Sequence, residues 1–161
     1  MICMSRKKLL VLGIGNPILS DDAVGILAAR EIRNRNIPGV DVEELSASGI
    51  EVMEVMLDRE KVVIVDAIML PDGHPGDVFI LREEDFLKTV HASSPHGINL
   101  PTAIALGRQT APGRMPGEIV FIAMQVENID TFSETLSPRI ESKITGLVDT
   151  VEGELRKGSN K

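Results

Sequence analysis

Lys8-Leu9-Leu10-Val11-Leu12-Gly13-Ile14-Gly15-Asn16-Pro17 decides how the rest of this chain is read. Apolar residues follow one another here without a polar residue between them. A half-buried strand would alternate, so this run suits a strand buried on both faces. Such strands belong to parallel sheets covered by helices. The Gly, Asn and Pro behind it take the chain out of the sheet in a tight turn, with Pro17 stiffening the exit.

Working outward, Val24, Leu27, Ala28 and Ile32 recur at helical spacing, which predicts a helix over Ala23 to Asn34 with Ser20 or Asp21 as its N-cap. Asn36-Ile37-Pro38-Gly39 breaks it, and Val40, Val42 and Leu45 read as a second strand. A short helix is expected from Gly49 to Leu57. Val62-Val63-Ile64-Val65 is the clearest buried strand and ends at Asp66. Beyond the turn Pro71-Asp72-Gly73-His74-Pro75-Gly76, Val78 to Leu81 reads as an edge or antiparallel strand. A charged segment, a helix from about Leu100 to Arg108 and a last strand from Glu118 to Met124 follow. In the final helix Ser137 caps, Pro138 takes the first position, and Ile140, Ile144, Leu147, Val148, Val151 and Leu155 share one face.

This alternation predicts an α/β fold with a mostly parallel twisted sheet of about five strands and helices on both faces. At 161 residues and 43% hydrophobic content the chain can fill one core, so one domain over 1–161 is expected, with 1–6 and 157–161 as frayed tails. A formal charge of −7 opposes a nucleic-acid partner, which would need clustered cations, and the lack of Trp and Tyr opposes base stacking. No apolar run is long enough to span a membrane, and the run after Arg6-Lys7-Lys8 lacks a signal-peptide cleavage pattern. A soluble cytoplasmic chain is expected. Cys3 is the single cysteine and sits in the frayed terminus, where it can serve neither an internal disulfide nor a held nucleophile.

Ligands of parallel sheets sit at the carboxyl ends of strands, which selects the Gly15 to Asp22 loop, Asp66 with Ala67, and the loop after Met124. Gly13-x-Gly15 lacks the third glycine of a dinucleotide fingerprint, because position 18 is Ile. Taken singly, Asp21 and Asp22 read as helix caps, Asp66 as an acceptor for a backbone amide, and His96 as an exposed loop residue. Taken together, two carboxylates and one imidazole converge where the first and third strands end. Such a set suits nickel or zinc and leaves coordination positions open. The same Asp and His side chains could orient Ser93 or Ser94 as a nucleophile, although no strained nucleophile elbow accompanies them.

The segments Leu10-Val11-Leu12-Gly13-Ile14-Gly15-Asn16-Pro17-Ile18-Leu19-Ser20-Asp21-Asp22-Ala23-Val24-Gly25, Val63-Ile64-Val65-Asp66-Ala67 and Ser94-Pro95-His96 resemble, in order and spacing, the hydrogenase maturation endopeptidases. The turn Pro75-Gly76-Asp77-Val78 and the strand from Ile119 fall where that family has similar elements, so the likeness covers nearly the whole chain. It implies a three-layer, phosphorylase/hydrolase-like sandwich. It implies an aspartyl-type endopeptidase that trims the C-terminal extension of a nickel-iron hydrogenase large-subunit precursor after nickel insertion. Asp22, Asp66 and His96 would be both its catalytic residues and its metal contacts. No resident cofactor is implied: the nickel arrives in the precursor, and zinc or cadmium can stand in for it in vitro. The precursor is the expected partner, with no nucleic acid or membrane involved, and the protein acts as a monomer or weak oligomer.

In one place the chain departs from its relatives. Where they commonly carry an Asp-Gly-Gly-Thr-like loop, this sequence has Leu45-Ser46-Ala47-Ser48-Gly49, without the acid. Two other functions compete. Peptidyl-tRNA hydrolases share a Gly-x-Gly-Asn-Pro turn but continue with an Arg-His-Asn segment, where this chain has Asp21-Asp22-Ala23-Val24. A nickel-binding maturation chaperone without enzymatic activity would use the same trio.

Overall fold

A computed structural model describes residues 7–46, 49–88 and 100–157. The first apolar run forms β1, Leu9–Ile14. A single 3-10 turn, Ser20–Ala23, then leads into α1, Val24–Asn34. β2 (Val40–Leu45), α2 (Ile50–Met56) and β3 (Lys61–Ile68) follow. β4 (Val78–Arg82) runs directly into α3 (Glu83–Lys88), the charged segment that helical spacing did not reveal. α4 (Leu100–Thr110), β5 (Glu118–Gln125), α5 (Pro138–Glu141) and α6 (Ile144–Arg156) complete the chain.

The sheet order is β2-β1-β3-β5-β4. All neighbours are parallel except β4 and β5, so the expected edge strand is both terminal and antiparallel. Period-two alternation sends Val11, Val63, Val65, Val120 and Ile122 to one face, where α1 and α6 cover them. It sends Leu10, Leu12, Val62, Ile64 and Phe121 to the other, against α2 and α4. Each face is apolar, which is why the central strands read as unbroken runs. Burying one such side chain contributes about 1.5–3 kcal/mol. The α/β three-layer sandwich is therefore established.

Three local expectations are corrected. No side chain caps α1: the residue before it is Ala23, itself already helical in backbone angles. Asp66 does not end its strand but lies inside β3, which continues to Ile68. The final helix is two helices, because the chain tightens at Ser142 and Lys143, where Lys143 N–H donates to Ile140 O at 2.9 Å and Ser142 Oγ to Arg139 O at 2.7 Å. Pro138 keeps its expected first position.

At the opposite end of the sheet from the strand carboxyl ends lies a buried charge cluster. Lys61, 0% exposed, opens β3 and donates from Nζ to the Glu154 backbone carbonyl at 2.8 Å and to Glu154 Oε1 at 3.4 Å. Glu118 Oε1 is 3.1 Å from the same ammonium, and Arg82 Nη1 donates to Glu154 Oε1 at 2.6 Å. Burial disfavours the charged Glu154, but hydrogen bonds from Arg82 and Lys157 and the nearby Lys61 charge outweigh it and hold the carboxyl below its usual range. A depressed folded-state pKa stabilises above the unfolded value and is lost as pH falls through the folded one. Glu154→Gln is expected to cost about 1.5–3 kcal/mol at pH 7. In thermal unfolding at stepped pH, the gap to the parent should close as pH falls below the ordinary glutamate value of 4.5. A gap that persists at acid pH would contradict the ionic role.

Candidate active site

Parallel strands bring their carboxyl ends to one rim of the sheet. Gly13 of β1 pairs with Val65 of β3, and Asp66 pairs with Ala123 of β5, so the ends of three strands lie side by side. The chain leaves β1 at Gly15, which has φ +154, and a Cβ there would stand 2.1 Å from the Asp22 backbone oxygen. Only glycine fits this approach. The 3-10 turn is thereby folded back over the strand ends, where it touches β3.

That turn carries Asp22, 1% exposed, whose Oδ2 accepts the Asn16 N–H at 3.0 Å. The carboxylate closes the loop that precedes it rather than capping the helix that follows. Asp66, 8% exposed, accepts the Ala67 N–H on Oδ1 at 2.8 Å, so its expected bond to a backbone amide is made within the strand. Two carboxylates, one from the 3-10 turn and one from β3, are thus sunk into the rim, and they offer hard oxygen donors of the kind a divalent ion accepts. His96 lies outside the described residues, as do Ser93, Ser94 and Cys3. Among the described residues no group of three or more His, Cys, Asp and Glu could hold a metal ion.

Asp21 and Asp22 are adjacent in sequence but have separate tasks. Asp21 is 0% exposed. Its Oδ1 accepts the Ser137 N–H at 2.7 Å, and its Oδ2 accepts Asn128 N–H at 3.0 Å, Glu127 N–H at 3.3 Å and Ser137 Oγ–H at 2.9 Å. One carboxylate therefore ties the 3-10 turn to the loop after β5 and to the start of α5. Ser137, expected as a cap, spends its hydroxyl on this bond and makes no side-chain cap. Ser20 sits just before the pair in the left-handed region at φ 49, held by Ser20 N–H to Ser133 O at 2.9 Å and Ser20 Oγ–H to Thr135 O at 3.1 Å. A non-glycine residue keeps such a backbone only where its surroundings enforce it.

Sequence reading also passed over Gln125. It is 3% exposed, accepts the Leu70 N–H on Oε1 at 3.0 Å, and donates from Nε2 to Leu70 O at 3.4 Å and Val126 O at 3.3 Å. Its backbone accepts from Gly76 N–H and donates to Asp77 O, both at 2.8 Å. The loop between β3 and β4 is thereby clamped against the end of β5. A polar residue closing an apolar strand was the available signal.

Asp21→Asn places an amide donor among N–H and O–H donors and removes the charge that holds them. The expected cost is about 1.5–3 kcal/mol, read as a lowered urea midpoint. An unchanged midpoint would show that the four bonds are replaced by solvent at no cost.

The family model for hydrogenase maturation proteases matches residues 26–154. The hydrogenase 2 maturation protease of Escherichia coli strain K12 is 28% identical over 152 residues, which cover 92% of this chain and 91% of the relative. Among solved structures, the hydrogenase maturating endopeptidase HybD from E. coli superposes with a TM-score of 0.83 at 28% identity, covering 93% of each chain. The [NiFe] hydrogenase maturation protease HybD from Thermococcus kodakarensis superposes with a TM-score of 0.78 at 25% identity, covering 91% of this chain and 97% of the other.

Proposed function

The chain belongs to the hydrogenase maturation protease family, and from that premise we propose that it is the endopeptidase that removes the C-terminal extension of a nickel-iron hydrogenase large-subunit precursor once nickel is in place. The observation that carries this reading is the pair of buried carboxylates, Asp22 and Asp66, on adjoining elements at the strand carboxyl ends. His96 supplies the imidazole. Family membership sets aside the peptidyl-tRNA hydrolase alternative.

The nickel is cargo of the substrate. Oxygens of Asp22 and Asp66 and a ring nitrogen of His96 complete its coordination and so fix the precursor relative to the rim. A peptide bond held there is hydrolysed by one water: the carbonyl carbon gains the hydroxyl, the C–N bond breaks, and the amine leaves with a proton. Holding the bond in place supplies much of the rate, and sharing the metal makes cleavage conditional on its insertion. The missing acid in the Leu45 to Gly49 segment leaves the work to this trio; Ala47 and Ser48 lie outside the described residues. We place the reaction in the cytoplasm; among the described residues no helix is long and apolar enough to cross a membrane.

The test is to incubate the purified protein with nickel-loaded and nickel-free precursor and read the C-terminal mass of each. Shortening of the loaded form alone is expected. Shortening of both would overturn the metal gate. Binding of the loaded form without shortening would leave a chaperone in place of an enzyme.

A further inference from the structure

Phe132 is 81% exposed, while Phe121 is 3% exposed and stacks on Phe86 at 3.6 Å. Phe79 and Phe86 are half-buried, so of the four Phe only Phe132 is exposed, in a chain without Trp or Tyr. The backbone on either side of the ring is braced. Asn128 Oδ1 accepts the N–H groups of Asp130 and Thr131, each at 3.2 Å, and Asn128 Nδ2 donates to Thr131 Oγ1 at 3.0 Å. On its other side Thr135 N–H donates to Ser133 Oγ at 3.1 Å. Asp21 anchors the base of this loop at Asn128 and Ser137. A side chain on so braced a backbone loses little freedom when a partner covers it.

Phe132 also has an apolar neighbour beside the site. Ser133 N–H donates to Ile18 O at 2.9 Å, forming a short parallel bridge between Leu19 and Ser133, and Ile18 is 47% exposed. The bridged segment runs straight into the turn carrying Asp22. Because Asp22 and Asp66 are sunk into the rim, a protein that reaches them must cover the rim as well. The loop that carries Phe132 also carries exposed Glu127, Asp130 and Glu134, none of which pairs with a described Lys or Arg.

We propose that Phe132, with Ile18 beside it, is the anchor on which the precursor docks, seating in an apolar pocket of the precursor bordered by Lys or Arg side chains. This rests on the protease reading. An aromatic on an acidic loop gives affinity, and the charges give orientation and a salt-dependent encounter.

The experiment measures the Kd for nickel-loaded precursor and the kcat and KM of its shortening, with parent protein, Phe132→Ala and Phe132→Leu, at low and high salt. Phe132→Ala should raise Kd and KM about thirty-fold with kcat nearly unchanged, and Phe132→Leu should recover much of the loss. An Asp130→Asn, Glu134→Gln double variant should flatten the dependence of Kd on salt. Equal Kd and KM for parent and Phe132→Ala would overturn the docking and leave the protease reading intact, as would a fall in kcat alone. If the parent binds but shortens nothing, the protease reading fails and the Kd values still decide the docking. If the parent does not bind, both fail.

Discussion

Gly25→Ala is expected to destabilise the protein by about 3 kcal/mol or more, although the substitution improves helix propensity. In a solvent-facing helix, replacing Gly by Ala gains about 1 kcal/mol. Here a Cβ would stand 2.3 Å from the Val65 carbonyl oxygen and 2.4 Å from that of Ile14. Both obstacles are backbone atoms of hydrogen-bonded central strands, so neither can swing aside as a flexible side chain would. Relief requires lifting α1 off β1 and β3. Gly13 lies under the same contact, since a Cβ on it would be 2.4 Å from Gly25 O and 2.7 Å from Ala29 Cβ. The packing term therefore exceeds the propensity term. Urea unfolding of the two proteins checks it; a midpoint equal to or above the parent's would show that the helix can move out at little cost. Because Asp22 sits one short turn ahead of Gly25, a displaced α1 also carries Asp22 away from β3.

The same contact shows what the sequence could and could not reveal. Strand β1 was legible because an unbroken apolar run has few other uses, and β3 and β5 follow the same logic. For α1 the period and most of the inward face were legible: Val24, Ala28 and Ile32 are buried as read, while Leu27 lies half-buried and Gly25 and Ala29, which the pattern did not single out, face inward. Hydrophobicity ranks leucine above glycine, but a helix pressed on two strands needs small residues. Asp21 was read as a cap because its partner Ser137 is 116 residues away, and no local pattern reports such a bond. Lys61 carried no signal in the sequence for a similar reason: its partner Glu154 is 93 residues away, and a charged residue at a strand end is usually solvated. What could be read from the sequence was local. Most of what was missed joins the ends of distant segments.

Asp66→Asn is expected to reduce shortening of the nickel-loaded precursor about a hundredfold or more while leaving the thermal midpoint within about 1 °C of the parent's. Asparagine has nearly the same shape, and its carbonyl can still accept the Ala67 N–H that Asp66 Oδ1 accepts at 2.8 Å. What it loses is charge: a neutral amide attracts a divalent ion weakly and cannot take a proton from water. His96→Ala should give the same outcome, since the proposed coordination would lose its nitrogen donor. The comparison with Asp21→Asn makes the result interpretable. Asp21 spends both oxygens on four donors of the fold, so its loss should appear first in stability. If Asp66→Asn lowered activity only in step with stability, Asp66 would be another brace like Asp21. Normal shortening by both Asp66→Asn and His96→Ala would remove the trio from the reaction and shift the search for the water-activating group along the rim, towards the loop after β5.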